Sequence, residues 1–151
     1  FEKAKLQARK DISILSKRDM VMLGLGIYIG EGSKTEGITR ISGSDPLIIK
    51  FAIKWLNVSF GIKTEHIRIR LHLYPDNNEK ETLSFWRKEL ELPAEAFHPC
   101  YIDRRQNKKA KKINVLPYGT AHLSVVGNGG KDAGVLLHRK ILASIDHALI
   151  N

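Results

Sequence analysis

The segment Met20–Gly32, MVMLGLGIYIGEG, constrains this chain more than any other stretch, because it is strongly apolar and rich in glycine at once. Inside a helix each glycine costs about 1 kcal/mol relative to alanine. Gly24, Gly26 and Gly30 therefore oppose the helix that the apolar content favours. Two flanking features decide for the helix over a tight loop between strands. Ser16-Lys17-Arg18-Asp19 has the form of a capping box, in which the serine oxygen accepts from a first-turn amide and Asp19 reaches back. Gly32 supplies a stop. The reading is a helix of about three to four turns. Its glycines are compensated by close approach: Gly26 and Gly30, four apart, let two helices touch along their backbones.

Glu31 sits at the carboxy end of this helix, where the macrodipole already presents negative partial charge. A carboxylate there calls for a cation. Lys34 is one candidate and a divalent metal is the other. Two such helices side by side would bring two carboxylates together, and hard oxygen ligands with open water positions suit Mg2+.

The run Gly26-Ile27-Tyr28-Ile29-Gly30-Glu31-Gly32-Ser33 resembles the LAGLIDADG motif of homing endonucleases, in its variant ending Gly-Glu-Gly. The resemblance implies an αββαββα core whose motif helices pack at a two-fold axis and whose sheet covers the DNA major groove. It implies Glu31 and Gly32 as the metal site. Leu23, Gly26, Ile27 and Gly30 become the helix–helix contact, and with one motif per chain the unit is a homodimer. Ile29 stands where the motif usually has an aspartate that is not the principal metal ligand. A basic residue near the active centre is also implied, for which Lys108 and Lys109 are the candidates. Ile41–Pro46, the Trp55 helix and Phe60-Gly61-Ile62 resemble the family's second strand and second helix. The first hairpin, Ser33 to Ser44, is short for two full strands, and the segment Pro93–Pro117 is an insertion.

Elsewhere the chain reads as α+β in one domain, residues 16–151, preceded at 1–15 by a polar helix or connector. A strand is expected at Ile38–Gly43. Asp45 and Pro46 then cap and begin a helix carrying Ile48, Phe51, Ala52, Trp55 and Leu56, which stops at Gly61. His66–Tyr74 alternates strictly, as a half-buried strand does. A short helix with Leu83, Phe85, Trp86 and Leu90 follows the Pro75-Asp76-Asn77 turn. After the basic insert come a strand from Thr120 to Val126 and a last helix from Asp132 to Leu149. The sheet is expected to be antiparallel.

Charge narrows the partner. Lys and Arg number 25 against 16 Asp and Glu, a net +9. Such an excess favours a polyanion, since each neutralised phosphate releases condensed counterions. In the alternating strand, His66, Arg68, Arg70 and His72 share the face opposite Ile67, Ile69, Leu71 and Leu73. That face suits phosphates and guanine edges. Arg40, Ser42, His122 and Lys34 extend the expected DNA-binding set. So do Arg104, Arg105, Lys111 and Lys112, from a run holding six basic residues and one acid between Tyr101 and Lys112.

Other chemistries find little support. Gly26-Ile27-Tyr28 and Tyr28-Ile29-Gly30 share one tyrosine, whereas a GIY-YIG nuclease separates its two halves. Gly127–Asp132 lacks P-loop spacing. His98-Pro99-Cys100 has no CxxC partner, so neither a zinc deaminase nor a zinc finger is indicated, and the six histidines show no metal-ligand spacing. The single cysteine excludes an internal disulfide and suggests a reducing compartment. The expected location is cytoplasmic, nucleoid-associated if bacterial. No apolar run reaches membrane-spanning length, no signal peptide is read, and the start at Phe1 leaves room for an upstream segment. The expected activity is Mg2+-dependent, site-specific cleavage of double-stranded DNA by a homodimer. The rival is a DNA-binding regulator on the same scaffold, and a third reading is an RNA-splicing cofactor.

Overall fold

The computed structural model describes residues 1–35, 37–104 and 116–151. The fold is α+β, with helices α1 (Glu2–Ile12), α2 (Lys17–Glu31), α3 (Pro46–Phe60), α4 (Glu79–Leu90) and α5 (Val135–Ile150). The strands are β1 (Arg40–Gly43), β2 (Ile67–Leu73), β3 (Tyr101–Ile102) and β4 (Thr120–Val125). They form one sheet in the order β1-β4-β2-β3. Three of the strands are antiparallel neighbours, but β3 runs parallel to β2, so the sheet is mixed rather than antiparallel as expected. No helix among the described residues is long and apolar enough to cross a membrane.

The capping box forms as read. The Asp19 amide donates to Ser16 Oγ at 3.1 Å, and the Ser16 amide donates to the Asp19 carboxylate at 2.8 Å. The α2 helix then buries Met20, Gly24, Leu25 and Tyr28. The close approach falls on Gly24 rather than on Gly26 or Gly30. A Cβ at Gly24 would overlap the Trp55 indole of α3, whereas one at Gly26 or Gly30 would meet nothing within 4 Å. Gly32 ends the helix, but with φ −84° and ψ 150° rather than in the left-handed region. Glycine is needed there because the Tyr28 ring occupies the space a side chain would take.

In α3, Asp45 caps through its side chain and Pro46 opens the first turn, while Gly61 closes it in the left-handed conformation at φ 68°. Its core face is Ile49, Ala52, Trp55 and Leu56, with Ile48 and Phe51 only half-buried. The β2 strand follows the expected alternation: Ile67, Ile69, Leu71 and Leu73 are each 1 % exposed or less. Burying such a side chain is worth about 1.5–3 kcal/mol. A one-residue slip would expose all four, a loss comparable to the whole stability of a domain. That fixes which side of the sheet Arg68, Arg70 and His72 occupy.

Between β2 and β4 runs the segment Tyr74 to Gly119, which includes the expected insertion Pro93–Pro117 and carries α4 and β3; contacts tie its two ends together. Asn77 donates to the Pro117 carbonyl at 2.9 Å, and the buried Trp86 indole donates to the Tyr118 carbonyl at 2.8 Å. Gly119, at φ 62°, re-enters the sheet against the His72 carbonyl, where a Cβ would clash. Some boundaries differ from expectation. The β1 strand starts at Arg40 rather than Ile38, with Thr39 continuing its register: the Val125 amide donates to the Thr39 carbonyl at 3.0 Å. The last helix begins at Val135, after a 3-10 turn at Lys131–Ala133. In α1 no residue is buried.

Candidate functional site

One side of the sheet packs on the helices and the other is open. Alternation places Arg40 and Ser42 of β1, His122 and Ser124 of β4, and Arg68, Arg70 and His72 of β2 on the open side, each half-buried or exposed. The registers bring them into rows. Ser42 faces His122, which faces Arg70, and Arg40 faces Ser124, which faces Arg68. Arg40, Arg68, Arg70, His72, His122 and Ser124 line a concavity of about 520 Å3, completed by His98, Tyr101 and Val126.

The floor is an aromatic ladder running across the strands. Tyr101 of β3 lies 4.9 Å from His72, between ring centroids. His72 stacks on His122 at 3.7 Å with an interplanar angle of 27°. His122 Nδ1 is 2.8 Å from Ser42 Oγ. Partial burial, then the neighbouring His72, then Arg40 push His122 down to about 4. Burial first, with Arg70 and Arg40 behind it, lowers His72, and Asp103 works against the shift. Both rings are therefore neutral at neutral pH and present one donor and one acceptor nitrogen each. The positive charge of the face resides on its guanidinium groups. Arg40 Nε donates to Ser124 Oγ at 3.2 Å, and Arg68 Nη1 donates to the Glu65 and Ile67 carbonyls at 2.7 and 2.8 Å. Arg70 is exposed and makes no hydrogen bond to a described residue.

Two members of the expected DNA-binding set are elsewhere. His66 lies in a 3-10 turn before β2, its Nδ1 2.8 Å from the Val126 carbonyl, and it does not line the concavity. The backbone there still pairs in register, the Val126 amide donating to the His66 carbonyl at 2.8 Å, but the side chain turns to the Val126 carbonyl. Lys34 is folded onto the end of α2, where its Nζ donates to the carbonyls of Tyr28, Ile29 and Gly32 at 3.0, 3.0 and 2.8 Å. It is the cation that offsets the helix's negative end. Arg104 is described and exposed. Arg105, Lys108, Lys109, Lys111 and Lys112 lie outside the described residues, and so do the roles expected of them.

The end of α2 meets the edge of the same sheet. Gly32 bridges Ile41, and the Ser33 amide donates to the Arg40 carbonyl at 2.8 Å, so the short first hairpin is reduced to this contact. Glu31 is exposed and makes no ion pair with a described residue. Among the described residues no group of three or more His, Cys, Asp or Glu could hold a metal. Among its described residues one chain thus offers a single carboxylate at this point, and the Gly32 carbonyl already accepts from Lys34. Beside Glu31, α2 presents an outward stripe: Met22 and Leu23 are each 47 % exposed, Ile29 is 44 % exposed, and Gly26 and Gly30 are bare. Ile27 is half-turned inward against the core.

Sequence reasoning missed four residues. Tyr101 reaches the concavity on β3, a parallel edge strand of two residues that has no period to detect, and His98 just before it, its amide donating to the Ile69 carbonyl at 2.8 Å. Ser124 was available from the same alternation that placed His122. His138, one of the six histidines and assigned no role, is fully buried on α5. Its Nδ1 accepts from the Gly37 amide and its Nε2 donates to the Ser33 carbonyl, both at 3.2 Å, anchoring the loop that carries Lys34. No family model, characterised protein or solved structure matches the chain.

Proposed function

We propose that this chain binds double-stranded DNA across the open face of its sheet and cleaves it as a homodimer joined through α2. The observation that carries the binding half is the composition of the concavity: Arg40, Arg68 and Arg70 surround the neutral rings of His72 and His122, and among the described residues no carboxylate lines it. Fixed guanidinium groups meet phosphates, while neutral imidazoles and serine hydroxyls meet base edges. The dimer half is supported by the outward stripe of α2, where bare Gly26 and Gly30 flank exposed Leu23 and Ile29. The order of elements agrees with it. With the insertion set aside, the chain runs α2, the Gly32–Ser33 bridge, β1, α3, β2, β4, α5. This is compatible with the αββαββα pattern that the motif resembles.

In this reading the cleaving end is built by two copies. Mg2+ accepts one or two carboxylates and completes its shell with phosphate and water oxygens. Glu31 from each copy, brought together at the α2 contact, fits that requirement; the Gly32 carbonyl, held by Lys34, contributes less than expected. A divalent ion there supplies charge neutralisation at the scissile phosphate. The role of Glu31 is to hold it beside the edge of the DNA-facing sheet, to which Gly32 ties the helix end.

A second reading, DNA binding without cleavage, is favoured by the lack of any three-ligand group among the described residues and by the sufficiency of Lys34 as the helix-end cation. Selection from a randomised duplex library, with Mg2+ and with chelator, separates the two. Metal-dependent cuts at a pseudo-palindrome support the nuclease. Enrichment of bound duplexes with no cut moves the protein to a regulator, and enrichment of neither removes the DNA reading.

A further inference from the structure

We propose that the cleft between Arg40, Arg68 and Arg70 is a phosphate-binding site whose stacked His72–His122 pair takes up one proton from solvent as the site fills. The proposal rests on the DNA reading only for the source of the phosphate. The cleft itself is defined by the arginines, the two rings and Ser124.

The geometry admits one proton and no more. Rings stacked at 3.7 Å cannot both be imidazolium without strong repulsion across the stack. The first proton meets no such obstacle from the hydrogen bonding. Ser42 Oγ, 2.8 Å from His122 Nδ1, donates to that nitrogen when it is bare and accepts from it when it is protonated, so the bond survives either state. What keeps the pair neutral in the free chain is its surroundings. Arg40 faces it from β1 and Arg70 from β2, and both oppose a positive ring. Arg68 and His98 share the same cleft. From the β3 side, Tyr101 lies against His72 at a tilt of 44°, and Asp103 and Tyr74 line an adjoining hollow of about 370 Å3 together with both rings. Asp103 acts on His72 in the favourable direction, but it stands outside the cleft.

A phosphate entering the cleft reverses this balance. Its negative charge offsets the guanidinium groups that disfavoured the imidazolium, and a protonated ring then donates a charge-assisted hydrogen bond to a phosphate oxygen. Phosphate binding and proton uptake thus favour each other by linkage, and affinity climbs as pH falls. This differs from ordinary electrostatic attraction to fixed arginines, which carries no pH dependence near neutrality.

The test follows the imidazole signals of the wild-type chain by NMR across pH, alone, with inorganic pyrophosphate, and with a mixed-sequence DNA duplex. In the free chain His122 is expected to titrate at about 4. Either probe should raise the titration of the pair by about two and a half to three units, and duplex affinity at constant ionic strength should then rise roughly four- to tenfold between about pH 8 and pH 6. In the double variant His72→Phe, His122→Asn, which keeps a stacked ring but cannot titrate, that ratio should fall to about one. A shift with pyrophosphate but no duplex binding keeps the site and removes the DNA reading. Duplex binding with no shift in either ring overturns the proposal and leaves the DNA reading standing. No shift with either probe also overturns it.

Discussion

The open sheet face and the free end of α2 lie side by side, joined by the Gly32–Ile41 bridge, yet they are built to different degrees of completeness within one chain. On the sheet, polar side chains are held by neighbours across the strands: Arg40 by Ser124, His122 by Ser42 and His72. At the helix end the held residue is Lys34, while Glu31 extends from the last turn without an ion pair among the described residues. A face that is organised before any partner arrives is suited to recognition. A lone exposed carboxylate gains a role only when another molecule brings charge to it. Under the proposed function, the comparison separates binding, which one chain would perform, from cleavage, which would require two.

The largest effect that would sharpen this contrast comes from Glu31→Gln. The substitution removes the carboxylate of the proposed metal site while leaving the sheet untouched. Metal-dependent cleavage is expected to drop by more than about a hundredfold, with duplex affinity retained or raised by relief of the repulsion. Cleavage rates and binding isotherms on the same duplex check it. An equal loss in both would mean that the helix end belongs to the binding surface, and the division would collapse.

Next in size is Gly24→Ala. A methyl there runs into the Trp55 indole, which is fully buried and cannot swing aside. Overpacking of this kind costs about 1–3 kcal/mol, read as a lower urea midpoint with unchanged m-value. A variant as stable as the parent would show that the α2–α3 packing is looser than described.

These two residues also mark what could be read from the chain in advance. The helix, its capping box and the alternation of β2 were legible because each follows from local periodicity or from a cap within four residues. Glu31 was noticed for a local reason as well, its position at a negative helix end. Which glycine makes the close approach was not legible. Gly24 and Gly26 are equivalent in sequence, and only the position of Trp55, 31 residues after Gly24, distinguishes them. The ladder Tyr101–His72–His122–Ser42 was legible in part. His122 and Ser42 came from strand alternation, but their pairing with His72 depends on the β1-β4-β2 order, which no short window encodes. The contacts of Lys34 and His66 were not legible either, since charge and alternation do not say which backbone carbonyl a side chain will meet.

A smaller effect tests the sheet side. Substituting both Arg68 and Arg70 with alanine is expected to flatten the dependence of log affinity on log salt by up to about 2, roughly one unit for each phosphate that no longer meets a guanidinium. Arg70→Ala alone should account for most of that change, because Arg68 is already engaged with two backbone carbonyls. Affinity titrations across salt concentrations decide the point, and an unchanged slope would take β2 out of the interface.

The smallest effect is the most discriminating for the proposed dimer. At Gly26→Ala the added methyl meets nothing within the chain. Replacing glycine by alanine in an exposed helix should stabilise the isolated protein by up to about 1 kcal/mol, seen as a higher urea midpoint at low concentration. If the bare stripe of α2 is where a second copy packs, the same methyl must separate the two helix backbones and weaken self-association. Sedimentation across a concentration series would then show a shift toward monomer, accompanied by loss of double-strand cleavage but not of duplex binding. Gly24 and Gly26 would in that event do the same steric work for different neighbours, Trp55 inside the chain and the partner helix outside it. A variant that is more stable and associates unchanged would leave the outer glycines facing solvent alone. The completeness that Glu31 lacks would then have to come from somewhere other than α2.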